Sequence, residues 1–244
     1  MEIKITYAYD GTYFYGFQRQ KDKITVQGEI EKVISKAFNE KINLISSGRT
    51  DAKVHALGQV SNFNIKSNIP LNSIKNQINK KLFGMVKVNE IEYVDENFNS
   101  RFDAKKRVYE YRFKAFKNVS PFEANYISAI KNEKLLDLDS INEKLKLFIG
   151  EHNFNSFSKK DKKSDFDKNP VREIYNAYCY KENDTFIAII EGQSFLRAMI
   201  RLIMAACIYE SKETILKRLN LELVDIPKKI LSPNGLYLKE VIYE

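Results

Sequence analysis

The spacing of apolar residues along the chain changes between two periods, which predicts a mixture of strands and helices. In segment 3–8, Ile3, Ile5 and Tyr7 share one face, as in a strand with one buried side. A two-residue alternation predicts further strands at 59–65, 86–94, 107–116, 178–180, 185–190 and 236–243. The pair 178–180 and 185–190 forms a predicted hairpin, since the turn-forming dipeptide Asn183-Asp184 lies between them.

A helical period of apolar residues appears in four other segments. Thr25 is a candidate N-cap for the first of them, because a hydroxyl there can accept a hydrogen bond from the first turn. A capping box from Ser140 to Glu143 opens the third, and Gly150 closes it. The predicted helices are 26–38, 71–82, 141–149 and 195–209.

Strands and helices follow one another without strict alternation, so we expect an α+β fold with a mixed sheet. A boundary is expected near 97–106, before the strong strand pattern, and divides the chain into an N-terminal half, 1–100, and a C-terminal half, 101–244. The charged segment 158–170 is predicted to be a loop that can touch RNA phosphates.

The charge balance points to a polyanionic partner. Forty Lys and Arg residues oppose thirty-two Asp and Glu residues, which gives a net charge of +8 and an isoelectric point near 9.2. The lysines are spread along the chain, as on a folded protein with a basic face, and 14 Tyr and 16 Phe residues offer stacking surfaces for bases. A bias of the genome toward A and T explains such a composition equally well, so basicity alone leaves both readings open.

No apolar run is long enough to cross a bilayer, because the most apolar stretch, 195–208, contains Arg197 and Arg201. The N-terminus does not have the layout of a signal peptide, so we expect a cytoplasmic protein without a membrane partner.

Few residues are available to bind a metal ion. Cys179, Cys207, His55 and His152 are the only cysteines and histidines, and their spacing matches no zinc motif. We therefore expect no metal, and we interpret the two cysteines as buried, reduced thiols.

Three features carry candidate chemistry. Asp51 lies in a loop after Gly48 and Arg49, and a nearby guanidinium favours an ionised carboxylate that can act as nucleophile or base; a side chain that caps a turn is the alternative. Arg201 and Arg197 are predicted one turn apart on an apolar helix, where they either pair with an acidic group or reach solvent. Tyr109, on an aromatic strand face, is either a core residue or a catalytic one.

Together these segments resemble the TruA family of pseudouridine synthases. The resemblance extends nearly from end to end and rests on several motifs in the same order. They are YDGTYFYGFQRQ at 9–20, TVQ at 25–27, GRTDAKVHALGQV at 48–60, RFDAKKRVYEYRF at 101–113, SFLRAMIRLIMA at 194–205 and SPNGLYLKEV at 232–241.

The resemblance implies a role for each matched residue. Asp51 corresponds to the catalytic aspartate, and Arg49 to the residue that helps to displace the target base from the RNA stack. Tyr109 corresponds to a tyrosine against the uracil, a candidate to remove the C5 proton. Arg201 corresponds to the arginine that pairs with the aspartate, and Leu236 to part of the apolar wall beside the base.

The opening motif supplies two further substrate-binding candidates, Phe17 and Gln18. Two positions of the chain, 17 and 53, depart from the family pattern. Position 17 is Phe where the family commonly has Trp, which keeps an aromatic ring. Lys53 stands where the family usually has Gly, and we expect this lysine to exclude a positive φ there.

The resemblance also implies a fold and an activity. The fold is a central mixed or antiparallel sheet flanked by helices and loops, with an active-site cleft between two halves. The activity is the isomerisation of uridine to pseudouridine in the tRNA anticodon stem-loop, at tRNA positions 38, 39 and 40, by a homodimer that needs no cofactor or metal. A non-catalytic RNA-binding protein and a metal-dependent nuclease are the alternatives, although a nuclease needs clustered carboxylates.

Overall fold

In the computed structural model, the described residues are 1–66, 69–159, 169–223 and 229–244. Most of the predicted loop 158–170 lies outside them. Within the described residues the chain forms ten strands, five α-helices and several short 3-10 helices. The strands are β1 (Glu2–Tyr9), β2 (Ile45–Ser46), β3 (His55–Asn64), β4 (Val86–Val94), β5 (Lys106–Ala115), β6 (Ser128–Ile130), β7 (Gly150–Asn153), β8 (Val171–Glu182), β9 (Thr185–Gly192) and β10 (Leu236–Ile242). The helices are α1 (Val26–Phe38), α2 (Leu71–Lys81), α3 (Leu138–Lys146), α4 (Met199–Tyr209) and α5 (Lys212–Leu219).

The chain divides into two compact units, of which the first contains Met1–Lys105 and Tyr237–Glu244. Its strands lie in the order β4-β1-β3-β10, with β2 paired to β3. The pairs are antiparallel except for β10, which runs parallel to β3. Helix α1 packs on α2, and α2 on β4. The apolar face of α1 is buried through Val26, Ile30 and Ile34, because residues three or four apart lie on the same side of a helix.

The second unit contains Lys106–Leu236. Its strands lie in the order β5-β9-β8-β7, all antiparallel, and β6 pairs in parallel with β5. Helix α3 packs on β8 and on α4. Nine of the eleven residues of α4 are buried, which fits its nearly continuous apolar sequence.

These elements confirm the α+β class and the mixed sheet, since each unit combines antiparallel pairs with one parallel pair. The predicted hairpin is formed by β8 and β9, which join through Asn183 at a φ of 55°. Thr25 caps α1 as predicted, because its side chain accepts a hydrogen bond from the N–H of Gly28. None of the helices in the described part of the chain has the length and apolar character needed to span a bilayer.

Two helix predictions are wrong at their ends. Helix α3 begins at Leu138, because Asp137 takes the N-cap position and accepts a hydrogen bond from the N–H of Ser140 at 2.7 Å. This helix ends at Lys146, before Gly150 is reached. The fourth helix begins only at Met199, and helix α5 was not predicted.

The C-terminal strand groups with the N-terminal part of the chain. Tyr237 and Leu238 pair with His55 and Ala56 on β3, and the Tyr237 ring stacks on the His55 ring at 4.7 Å. The sequence-based division at 100 places this strand in the second half, whereas the first unit of the structure includes Tyr237–Glu244.

Candidate active-site loop and its partner residues

The Asp51 loop, residues 47–54, joins β2 to β3, and its first part is fixed by one glutamine. The buried side chain of Gln59 accepts a hydrogen bond from the Ser47 hydroxyl at 2.6 Å and donates one to the Gly48 carbonyl at 3.1 Å. The N–H of Ser47 donates to the carbonyl of Val60. A buried amide with both ends satisfied has one stable orientation, so it holds the start of the loop in place.

A second segment, the arc of residues 11–17, packs against the same loop. The N–H of Phe17 donates to the Thr50 carbonyl at 3.1 Å, and the Tyr9 hydroxyl lies 2.7 Å from that of Thr50. Two glycines permit this close approach. A Cβ at Gly11 would lie 2.2 Å from the Val54 carbonyl oxygen, and Gly16 has a φ of 107°.

The loop ends in a tight turn around Lys53. The N–H of Val54 donates to the backbone carbonyl of Asp51 at 3.2 Å, and Lys53 has a φ of 66°. The expectation that a lysine excludes a positive φ here is therefore wrong, because the hydrogen bonds on both sides of the turn impose the left-handed conformation. Asp51 is half-buried, while Arg49 and Lys53 are exposed.

The two candidates from the opening motif are placed differently. Phe17 is 2% exposed, and its ring centroid lies 6.2 Å from that of Tyr9, so the ring belongs to the core that supports the arc. Gln18, the next residue, is exposed.

In the second unit, Tyr109 lies on β5 opposite Ile190 of β9. The Tyr109 ring is half-buried and meets the Phe195 ring edge-on at a centroid distance of 5.1 Å. Two residues on, Tyr111 is fully buried and donates to the Ser232 carbonyl, and burial raises the pKa of its hydroxyl. Of these two tyrosines, only Tyr109 therefore has part of its ring in contact with solvent.

The two arginines are in different environments. Arg201, in the first turn of α4, is half-buried, and its Nε donates to the Leu231 carbonyl at 2.8 Å. Arg197 precedes the helix, because Ala198 adopts a left-handed φ of 60° and the helix begins only after it. The Arg197 side chain is exposed. The prediction that both lie one turn apart on one helix face is therefore wrong.

The candidate residues are thus divided between the two units. The first unit contains Arg49, Asp51, Phe17 and Gln18. The second unit contains Tyr109, Arg201 and the buried Leu236. Sequence reasoning missed the role of Gln59, although this residue lies inside the motif at 48–60. Among the described residues no group of three or more His, Cys, Asp or Glu side chains is arranged to hold a metal ion.

An α+β chain whose glycine- and arginine-flanked aspartate loop is held by buried hydrogen bonds fits a class of RNA-modifying enzymes. The model of the family described as tRNA pseudouridine synthase matches residues 5–103 and 145–244. The chain therefore belongs to the tRNA pseudouridine synthase family. The matched ranges include Asp51, Arg201 and Leu236, whereas Tyr109 lies between them.

Curated relatives match over almost their whole length. A protein named tRNA pseudouridine synthase A from Borrelia turicatae is 39% identical over 99% of this chain and 98% of its own. Proteins of the same name from Caldicellulosiruptor bescii and Dictyoglomus thermophilum are 36% and 38% identical, and each match covers 98% or more of both chains. Two solved structures, a putative Dyp-type peroxidase from Shewanella oneidensis and a putative chlorite dismutase, align with TM-scores of only 0.22, so they carry no argument about this fold.

Proposed function

We propose that this protein is a tRNA pseudouridine synthase that isomerises uridines at positions 38, 39 and 40 of the anticodon stem-loop, with Asp51 as the catalytic carboxylate. The observation that carries the proposal is the match of both ends of the chain to one family, together with 36–39% identity to relatives over nearly the full length. The excess of positive charge suits a tRNA substrate.

The reaction breaks the N1–C1′ bond of the uridine, turns the uracil and forms a C5–C1′ bond. The proton leaves C5 and a proton is returned to N1, so no oxidant or phosphate donor is consumed. A uridine in a stem must first be flipped out of the stack, at a cost of roughly a few kcal/mol. Asp51 then either attacks C1′ or removes a proton from the sugar to give a glycal; both routes need an ionised carboxylate.

The other candidates have supporting roles in this proposal. Arg49, exposed on the Asp51 loop, helps to displace the base and contacts RNA. Tyr109 receives the C5 proton, Arg201 fixes the catalytic carboxylate, and Leu236 forms part of the apolar wall. Gln18 contacts substrate, while we assign Phe17 to the support of the Asp51 loop because its ring is buried.

The proposal includes a cytoplasmic homodimer that works without cofactor or metal. The homodimer rests on the family resemblance, and sedimentation of the purified protein at several concentrations tests it.

A tritium-release assay tests the function. Purified protein is incubated, with EDTA present, with anticodon stem-loop transcripts labelled at C5 of uridine, and pseudouridine is mapped by derivatisation and primer extension. We expect release from the wild type, mapped to the 3′ side of the anticodon arm. Asp51→Asn removes the ionisable group at nearly constant volume, so we expect no release but RNA binding within about threefold of wild type.

Each alternative has a different outcome in this assay. Tight RNA binding without release by the wild type indicates a non-catalytic RNA-binding protein. RNA cleavage that EDTA abolishes indicates a nuclease. Loss of RNA binding together with activity in Asp51→Asn contradicts the catalytic role of this residue.

A further inference from the structure

The arc that supports the Asp51 loop also presents an exposed tyrosine. Tyr15 is 58% exposed, although the neighbouring aromatic residues Phe14 and Phe17 are 3% and 2% exposed. An exposed aromatic ring between two core anchors gains little from the hydrophobic effect. The exposed face of the Tyr15 ring, like that of Tyr13 at 52% exposure, is therefore accessible to a binding partner.

The backbone at Tyr15 is held in place on both sides. Its N–H donates to the carbonyl of Ile24 at 2.9 Å, and its carbonyl accepts a hydrogen bond from the side chain of Gln20 at 2.8 Å. Gly16 follows at a positive φ and touches the Asp51 loop, with its ideal Cβ position 3.4 Å from the Thr50 carbonyl oxygen. The backbone that carries the ring is thus fixed, next to a glycine that touches the proposed catalytic loop.

A lysine accompanies the exposed ring. Nζ of Lys23 lies 4.6 Å from the centroid of the Tyr15 ring, within the range of a cation–π contact. Lys23 is brought there by a turn in which Asp22 adopts a left-handed φ of 58°. An exposed aromatic ring with an adjacent cation is what single-stranded nucleic acid requires, because bases stack on rings and phosphates attract cations.

We propose that Tyr15 and Lys23 form a nucleotide-binding platform for the RNA substrate, in addition to the residues that handle the flipped uridine. Tyr15 stacks on a base near the target, and Lys23 neutralises a neighbouring phosphate. The proposal rests on the proposed function for the identity of the RNA. It assigns binding to these residues and no part in the chemical step.

Binding of a fluorescent anticodon stem-loop to the full-length protein, measured at a series of KCl concentrations, tests the platform. Tyr15→Ala is expected to weaken binding about fivefold or more, while Tyr15→Phe, which keeps the ring, stays within about twofold of wild type. Lys23→Ala is expected to reduce the slope of log Kd against log salt by about one. In turnover assays both alanine variants raise KM and keep kcat at saturating RNA within about twofold.

Tyr93 and Lys66 provide matched controls in the same unit. Tyr93 is an exposed tyrosine on β4 that pairs with Ile3, and Ile3 lies about 20 Å along β1 from Tyr9, the last strand residue before the arc. Tyr93→Ala and Lys66→Ala are expected to bind RNA like the wild type. Melting temperatures measured for all variants reveal any loss of binding that comes from unfolding.

The outcomes separate this inference from the proposed function. If the wild type makes pseudouridine but Tyr15→Ala and Lys23→Ala bind and turn over like the wild type, the platform is refuted while the function stands. If the variants weaken RNA binding but the wild type releases no tritium, the platform stands and the proposed function fails. Equal weakening by Tyr93→Ala also overturns the platform.

Discussion

Lys53 is one of the residues at which the preference of the side chain and the observed backbone disagree. A side chain with a Cβ costs about 1–2 kcal/mol in the left-handed region, and only glycine occupies it without strain. Lys53 nevertheless has a φ of 66°, in the turn that the N–H of Val54 closes on the Asp51 carbonyl. The strain lies two residues from the proposed catalytic carboxylate, in a region where strained backbone is often retained for function.

Lys53→Gly is expected to stabilise the protein by roughly 0.5–1 kcal/mol, because the relieved strain exceeds the entropy that glycine adds to the unfolded chain. Urea unfolding at equilibrium measures the difference. Lys53→Ala removes the same charge but keeps the Cβ, so it should give no comparable gain. An equal gain in both variants would show that the lysine charge, and not the backbone, is the source of the destabilisation.

The two cysteines illustrate a residue-scale property that agrees with the sequence interpretation. Cys179 and Cys207 are both buried, and neither forms a disulfide. Burial raises the pKa of the Cys179 thiol to about 12 and raises that of Cys207 as well, so neither forms a reactive thiolate near neutral pH.

At the scale of elements, the local sequence specifies the ends of a helix less closely than its apolar face. Ser140 and Glu143 make a valid capping box, but Asp137 offers another cap one turn earlier. The earlier start is favoured because it adds a turn of helix while the apolar positions Ile141 and Leu145 remain buried. Both caps satisfy local rules, and the structure uses Asp137, whose side chain accepts a hydrogen bond from the N–H of Ser140.

The two caps make opposite mutational predictions. Asp137→Ala removes the acceptor for the N–H of Ser140 and is expected to destabilise the protein by about 1 kcal/mol. Ser140→Ala keeps that N–H and should change the free energy of unfolding by less than about 0.5 kcal/mol. Thermal or urea unfolding of the two variants compares their effects on the free energy of unfolding. A larger loss of stability in Ser140→Ala would show that Ser140, and not Asp137, is the N-cap.

At the scale of the whole molecule, the chain returns to its first unit with its last strand. Leu238 is completely buried, the N–H of Lys105 donates to the carbonyl of Ile242, and the Tyr243 hydroxyl donates to the carbonyl of Ser100. These contacts join residues more than 130 positions apart in sequence. The first unit therefore depends on the last residues of the chain for part of its sheet and core.

Leu238→Ala is expected to cost about 2–5 kcal/mol, the range for truncating a fully buried leucine. Native-state hydrogen exchange should show lost protection in β1 and β3 before β8 and β9, because Leu238 pairs with β3. Glu240→Ala, at an exposed position on the same strand, is the control and should leave exchange unchanged. Earlier loss of protection in β8 would mean that the strand chiefly supports the second unit.

The sequence by itself determined most of the longer strands and helices, the α+β class and the family, because periodicity and motifs are properties of short stretches of chain. The short strands β2, β6 and β7 and helix α5 have no such pattern that predicted them. It also singled out Asp51, Tyr109 and Arg201 as candidates, whose catalytic roles remain predictions. Only the tertiary structure decided that Gln59 and Phe17 hold the Asp51 loop. Those positions depend on hydrogen bonds to residues distant along the chain, whose partners no local pattern specifies.

The same distinction applies to the backbone and to the division of the chain. The left-handed φ of Lys53 results from constraints on both sides of a turn, and these override the preference of the residue itself. The place of β10 in the first unit follows from its parallel pairing with β3, which joins Tyr237 to His55. Such pairings are chosen by the burial and hydrogen bonding of the folded chain as a whole, so they appear only once the tertiary structure is known.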